Sequence, residues 1–545
     1  MGVELSHTLP LYIKMLKSLD IKPLDIKCLM SFVAAEQSQG VKGADCYTHS
    51  GSKLVDLFTQ LVRGAFINPT LVNQCLAESL EDTLVLAFQT RDIRGGKGER
   101  QLFRQLLTLI LKAKPELSWA INLIPEYGRW DDVWSFMGLS PLIDAIIDDV
   151  VLHNFQLDQE SEKPSLLAKW LPREGSKKGS LAKAAHFANL LFPLTPVSGR
   201  LRMYRKTLAF LNARINTTEL KMCGGQWSGI APGSVPGQLL KRNKHAFFNK
   251  KPLVLRKKVV RLYDRFPNSA DRVACANNFI EHMQAGRKVN GGQTTMPNEH
   301  VHNILTSFDT QMDSVIDAQW SAIREETQAA GGLGKSVMMC DFSGSMDGVP
   351  KGVSLALGIL GSEVAAPAFK DHIITFDSTP VWHSFAGFTS LRQKVESVGY
   401  LGQGANTNFQ AACELILKRL VENKVDTEDA PKQLIVITDM GFDAAKNDYY
   451  TKKTLPWQTE FQIIRSSFHS CGYEPPLIVC WNVRAAYTDT HAEATEVGVV
   501  QLSGWSPSVL KALQSGLQVQ TPYQGLRALL DSPRYDAVRR GIGGI

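Results

Sequence analysis

The chain has 545 residues, 44% of them hydrophobic and 21% charged, which is the balance of an ordinary globular protein too long for one core, so two or three domains are expected. No apolar run approaches the roughly 18 residues that span a bilayer, and the first residues lack a basic segment followed by an apolar core, so neither a signal peptide nor a membrane partner is expected. The net charge of +7 is modest, and nine scattered cysteines without a C-x-x-C pair fit a reducing, cytoplasmic setting and argue against a zinc site or a disulfide framework.

Up to residue 330 the apolar periodicity is helical almost throughout. Leu102-Phe103, Leu106-Leu107 and Ile110-Leu111 recur at three- and four-residue spacing, and the stretches 118–124 and 142–147 repeat the pattern. Glycine- and proline-containing breaks separate these runs, a spacing that predicts stacked helical hairpins of HEAT-like kind. Arg91 to Arg100 places two glycines, a lysine and flanking arginines in one loop before a helix. Arg94 and Lys97 are therefore candidate phosphate contacts, and the alternative is a tight inter-helix turn. In 125–132, Arg129 is expected to pair with Asp131 or Asp132 at a corner between hairpins.

The stretch 241–265 carries ten Lys or Arg and one acid, Asp264. Lys241, Arg242, Lys244, Lys250, Lys251, Arg256, Lys257 and Lys258 interleave with Phe247 and Phe248, a pattern that can pair phosphates and stack bases. The alternative is a solvated helix face with both phenylalanines in the core. Smaller basic runs at 169–183 and 200–206 favour a polyanion-binding surface.

After residue 330 strands alternate with helices. Strands are predicted at 337–341, 372–376, 434–439, 477–482 and 498–502, and helices at 352–364, 391–398, 408–422, 458–467 and 507–516. That alternation predicts a doubly wound, mainly parallel sheet with helices on both faces. The fold class expected is thus α + α/β, with a helical-repeat domain over 1–330 and a sheet domain over 331–545. Gly331-Gly332-Leu333-Gly334-Lys335-Ser336 resembles a phosphate-binding loop, but Ala329 stands where the first glycine belongs and the segment precedes its strand. No nucleotide hydrolysis and no catalytic triad are expected.

Asp341-Phe342-Ser343-Gly344-Ser345 leaves the apolar run 337–340. Oxygen-bearing side chains two residues apart on a strand-leaving turn can converge on one hard cation such as Mg²⁺ or Mn²⁺. Asp347, beside this turn, and Asp377, at the end of the predicted strand 372–376, are candidates to support such a site from behind its ligands.

Asp341, Ser343 and Ser345, followed by Thr407 and then by Asp439 at a strand end, resemble the metal-ion-dependent adhesion site of von Willebrand factor A domains. A helical-repeat half before such a domain is similar to the TROVE (Ro ribonucleoprotein-like) proteins, and closer still to the related domain-of-unknown-function 2828 family. The residues carrying the likeness include 91–100, 124–132, 168–172, 481–484 and 503–507. The resemblance implies Asp341, Ser343, Ser345, Thr407 and Asp439 as ligands of Mg²⁺ or Mn²⁺, with an open position for a carboxylate from a protein partner. It also implies a non-enzymatic scaffold that binds small or structured RNA with little sequence preference. The alternatives are a metal-dependent protein-interaction module and a structural or assembly component without RNA.

Overall fold

The computed structural model describes residues 35–40, 43–175, 180–255, 258–289, 295–306, 310–376, 380–398, 409–442, 460–514 and 520–543. A short antiparallel ribbon, β1 (Gln37–Gln39) and β2 (Asp45–Tyr47), begins the described chain. Helices α1 (Lys53–Gln60), α2 (Pro69–Glu78), α3 (Leu80–Arg91) and α4 (Arg100–Ala113) follow. The first three start where the sequence provides caps: Ser52, Asn68 and Ser79 accept from the backbone N–H of Val55, Thr70 and Asp82. The apolar residues of α4 fall on one face and are buried, whereas α3 is buried all round from Asp82 to Arg91 and lies at the centre of its neighbours.

The helical half continues through α5 (Pro141–Glu160), α6 (Ser180–Leu191), α7 (Val197–Ile215) and α8 (Gly237–Phe247). It ends with α9 (Ala270–Gln284), α10 (Pro297–Thr306) and α11 (Asp313–Ala329). Between α8 and α9 the expectation of helix fails. Lys250–Leu255 (β3) and Lys258–Asp264 (β4) pair as an antiparallel hairpin. A two-stranded ribbon of which only Leu262 packs on the cluster beneath it imposes no apolar alternation, so nothing in the sequence pattern announced it.

The C-terminal half holds a six-stranded sheet in the order β10-β9-β8-β5-β6-β7. Its strands are β5 (Ser336–Asp341), β6 (His372–Phe376), β7 (Val381–Ser384), β8 (Gln433–Thr438), β9 (Leu477–Asn482) and β10 (Val499–Ser503). All neighbours are parallel except β6 and β7. The four-residue edge strand β7 is the one the sequence did not predict. Helices α12 (Val349–Glu363), α13 (Leu391–Ser397), α14 (Phe409–Glu422) and α15 (Glu460–Ser470) cover the sheet, and α16 (Pro522–Leu530) and α17 (Asp536–Gly543) close the chain. The α + α/β class is therefore what the structure has. Gly358 and Gly361 let α12 lie directly on β5, since a Cβ on either would come within 2.2 Å of Cys340 Sγ or 2.4 Å of Met338 Cε.

Alternate residues of the buried strands feed two cores, as the period of a strand requires. Val337, Met339, Leu434 and Val436 pack under α14 and α15. Met338, Cys340, Ile435 and Ile437 face α12, and their cluster runs without a break into the N-terminal helices as far as Leu54. The helical half thus packs on one face of the sheet.

Candidate functional site

The sheet order places β5 and β8 side by side, while their onward connections run to opposite sides: β5 leads to β6, and β8 leads to β9. That reversal marks the carboxyl ends of the two strands as the place where doubly wound sheets bind ligands. Asp341 ends β5, and Asp439 follows the last residue of β8. The turn after β5 is held by its own side chains. Ser343 N–H donates to Asp341 Oδ1 at 2.9 Å, Met346 N–H to the Ser343 carbonyl at 2.9 Å, and the Ser343 and Ser345 hydroxyls are 3.1 Å apart. Thr438 Oγ1, at the end of β8, donates to Asp341 Oδ2 at 2.7 Å.

Both carboxylates are fully buried. Burial, and then the charge of Asp439, pushes the Asp341 carboxyl up to about 6, against the hydrogen bonds from Ser343 and Thr438. Asp439 Oδ1 accepts from Gly441 N–H at 3.0 Å. Its Oδ2 has no hydrogen-bond partner among the described residues, and Arg484 Nη1 lies 3.9 Å away. A buried carboxylate oxygen without a donor is costly. The ligand oxygens gathered here come from two carboxylates and three hydroxyls, those of Ser343, Ser345 and Thr438, which is the chemistry a hard divalent cation takes. No group of three His, Cys, Asp or Glu side chains lies together among the described residues, so an ion here would draw on hydroxyl and water oxygens as well.

The structure therefore brings Asp341, Ser343, Ser345 and Asp439 together. Thr407 and Asp377 lie outside the described residues, and Asp347 is exposed. Sequence reasoning missed Thr438 as a partner of Asp341 and Arg484 as the cation beside Asp439. Arg484 lies two residues beyond β9, next to β8, a placement that only the strand order reveals.

The basic residues divide differently. Lys97 is wholly buried and donates to the Phe58 and Leu61 carbonyls and to Ser503 Oγ, so it is corrected from a phosphate contact to an internal tie. Arg94 is exposed on the same loop. Arg129 does approach Asp131, at 3.5 Å. Lys241 is committed to Glu299 at 2.6 Å, and Lys250 pairs with Asp264 at 2.7 Å. Lys244 is half-buried on α8, Lys258 begins β4, and Arg256 and Lys257 lie outside the described residues. Phe247 and Phe248 are in the core against Phe279, so neither stacks on a base.

A cleft of about 450 Å³ opens where α8 meets the hairpin. Arg242, His245, Lys250, Lys251 and Arg265 line it with Phe266 at its edge, and no acidic residue is among its lining. The Arg265 guanidinium lies 5.3 Å from the Phe266 ring. His245, Arg265 and Phe266 complete a wall that the basic run alone did not define.

Residues 335–526 match the family described as domain of unknown function DUF7788, a span that contains all six strands of the sheet and both buried carboxylates. Along its length the chain is 25% identical over 510 residues to an uncharacterised protein of Acanthamoeba polyphaga mimivirus, with 87% of this chain and 84% of that protein covered. These matches overturn the expected membership. They lie with a different domain family and an uncharacterised viral protein, not with the TROVE proteins, the domain-of-unknown-function 2828 family or the von Willebrand factor A domains. Shared spacing of a few polar residues on a common sheet topology does not fix ancestry.

Proposed function

We propose that this protein is a non-enzymatic nucleic-acid-binding scaffold whose ligand is RNA, held in the cleft between α8 and the β3–β4 hairpin. The observation that carries the reading is the wall of cations without an acid. Arg242, Lys251 and Arg265 make no ion pair among the described residues and offer their charge to phosphates. Phosphate pairing of this kind is indifferent to sequence. The preceding helices, read as a HEAT-like stack, form the support. Eight free cysteines among the described residues fit a reducing, cytoplasmic setting. In a filter-binding series the affinity for a single-stranded RNA is expected to fall by about 0.7 log units per log unit of salt for each phosphate neutralised. Arg242→Glu with Lys251→Glu and Arg265→Glu should weaken many RNAs together. No binding at low salt, or affinity indifferent to these changes, removes RNA from the account.

A second reading is favoured by the buried Asp439 Oδ2, which accepts no hydrogen bond among the described residues. Asp341, Ser343, Ser345 and Asp439 would hold Mg²⁺ or Mn²⁺, with Thr407 expected to join them. The bound ion would supply a ligand position for a carboxylate of a partner protein, so these strand ends would serve attachment. Calorimetric titration with Mn²⁺ is expected to show one site in the wild type and none in Asp439→Ala, and equal binding by the two sinks the assignment.

A further inference from the structure

From residue 175 to residue 218 the sequence contains eight Lys or Arg and no Asp or Glu. Most of the span is α6, α7 and the loop joining them. Its apolar residues are not all inside. Leu194 at the tip of the loop is 100% exposed and Val197 at the start of α7 is 73% exposed. Met203 and Phe210, seven residues apart and so on one stripe of α7, are 42% and 61% exposed. Arg202 and Lys206 are exposed on the same helix and make no ion pair among the described residues. The inward side of α7 is ordinary core, with Tyr204, Leu208 and Leu211 buried.

We infer that this face is a docking surface for an anionic membrane, with Leu194, Met203 and Phe210 entering the headgroup boundary and Arg202 and Lys206 pairing acidic lipid headgroups. Two observations choose this occupant. The span itself carries cations only, and although Arg205 pairs with Glu174, Arg202 and Lys206 keep their charge free of any ion pair among the described residues, which complements an anionic surface. Leu194 and Met203 have no ring for a base to stack on, and with the single ring of Phe210 they form apolar tips that withdraw from water into a lipid boundary. The earlier expectation of no membrane partner rested on the lack of a spanning segment. No helix among the described residues is long and apolar enough to cross a bilayer, and a surface contact does not require one.

Cosedimentation of the full chain with vesicles tests this, using phosphatidylcholine alone and phosphatidylcholine mixed with phosphatidylserine. Binding is expected only to the mixed vesicles. Arg202→Glu with Lys206→Glu should weaken it by about twentyfold or more, since each cation near such a surface is worth roughly fivefold in affinity. Leu194→Asp with Phe210→Asp should weaken it at least as much, since each methylene withdrawn from lipid costs roughly fourfold. Thermal melting followed by circular dichroism should be unchanged in both, because the four side chains are exposed. Equal binding to neutral vesicles, or no binding to either, overturns the inference. So does loss in the charge variant with none in the apolar variant, which would indicate bare electrostatic adsorption. Single-stranded RNA binding that the charge variant abolishes, without vesicle binding, would assign the face to nucleic acid instead.

Discussion

Lys97 lies in a glycine-flanked basic loop, a setting that in sequence points to phosphate. The fold uses the loop as the tight turn after α3. Gly96 N–H donates to the Asp92 carbonyl at 3.0 Å and Lys97 N–H to the Gln89 carbonyl at 3.0 Å, and a Cβ at position 96 would stand 1.8 Å from Gln89 O. The Lys97 side chain is thereby sent inward, past the Phe58 ring at 4.0 Å, to three acceptors on α1, on the segment after it and on β10. Burial pulls its ammonium well below the ordinary lysine range. Lys97→Met should lower the melting temperature, with a loss of about 1–3 kcal/mol from the acceptors left unmade. Lys97→Arg should cost no less, because a planar fork of donors does not fit a space shaped for one ammonium. Wild-type melting in both variants would return Lys97 to a surface role. Asp341, Ser343, Ser345 and Asp439 were legible because turn and strand-end positions project oxygens predictably. Thr438 and Arg484 were not, because they meet the carboxylates only through strand neighbours.

At the scale of elements, α4 and the buried strands were legible because a covered face leaves a period in the sequence. The hairpin was not, because only Leu262 of its apolar side chains packs on the cluster beneath it. Where α8 meets α10 the chain has instead built a buried, titratable joint. His300 on α10 is fully buried, with Nε2 2.9 Å from Thr295 Oγ1. Burial lowers its imidazole to about 3, helped by Lys241 and Lys244 and opposed by Glu299. Above its unfolded value of 6.5 the ring is neutral in both states and costs nothing. As pH falls from 6.5 toward 3 the unfolded ring takes a proton that the folded ring refuses, so stability falls with pH. Glu299 acts in the same direction at lower pH. Although burial alone would raise its carboxyl, Lys241 holds it below the ordinary 4.5, so its contribution is lost as acid protonates it. Between pH 6.5 and 4.5 the wild type should lose about 2–3 kcal/mol through His300, and His300→Gln should lose less over the same interval. Parallel melting curves for the two proteins across that range would remove His300 as the cause.

Over the whole molecule, the change of pattern near residue 330 separates two kinds of texture, but periodicity reports that a face is buried and not what buries it. The last helices return across the chain to the first. Arg534 pairs with the buried Asp92, with Nη2 to Oδ1 at 3.0 Å, and Tyr127 donates to the Arg534 carbonyl at 2.7 Å. Tyr127 and Tyr535 stack at 5.7 Å, Arg527 reaches Asp82 at 2.6 Å, and Asn482 Nδ2 donates to the Thr59 carbonyl at 3.1 Å. Tyr47 and Thr490 exchange two backbone hydrogen bonds, of 2.7 and 3.0 Å. Two independent domains and one shared core therefore differ in a measurable way. With the apolar cluster continuous from Leu54 to Val538, the full chain should unfold in a single calorimetric transition. Arg534→Ala should shift that entire transition downward, because it leaves the buried Asp92 carboxylate with only the Arg94 N–H and the Tyr535 hydroxyl, at a cost of roughly 1–3 kcal/mol. A fragment of residues 331–545 should expose the surfaces that α16, α17 and β10 present to the helical half, and should lack a cooperative transition of its own. Two resolved transitions in the full chain, of which Arg534→Ala moves only one, would show that the halves fold separately and meet afterwards.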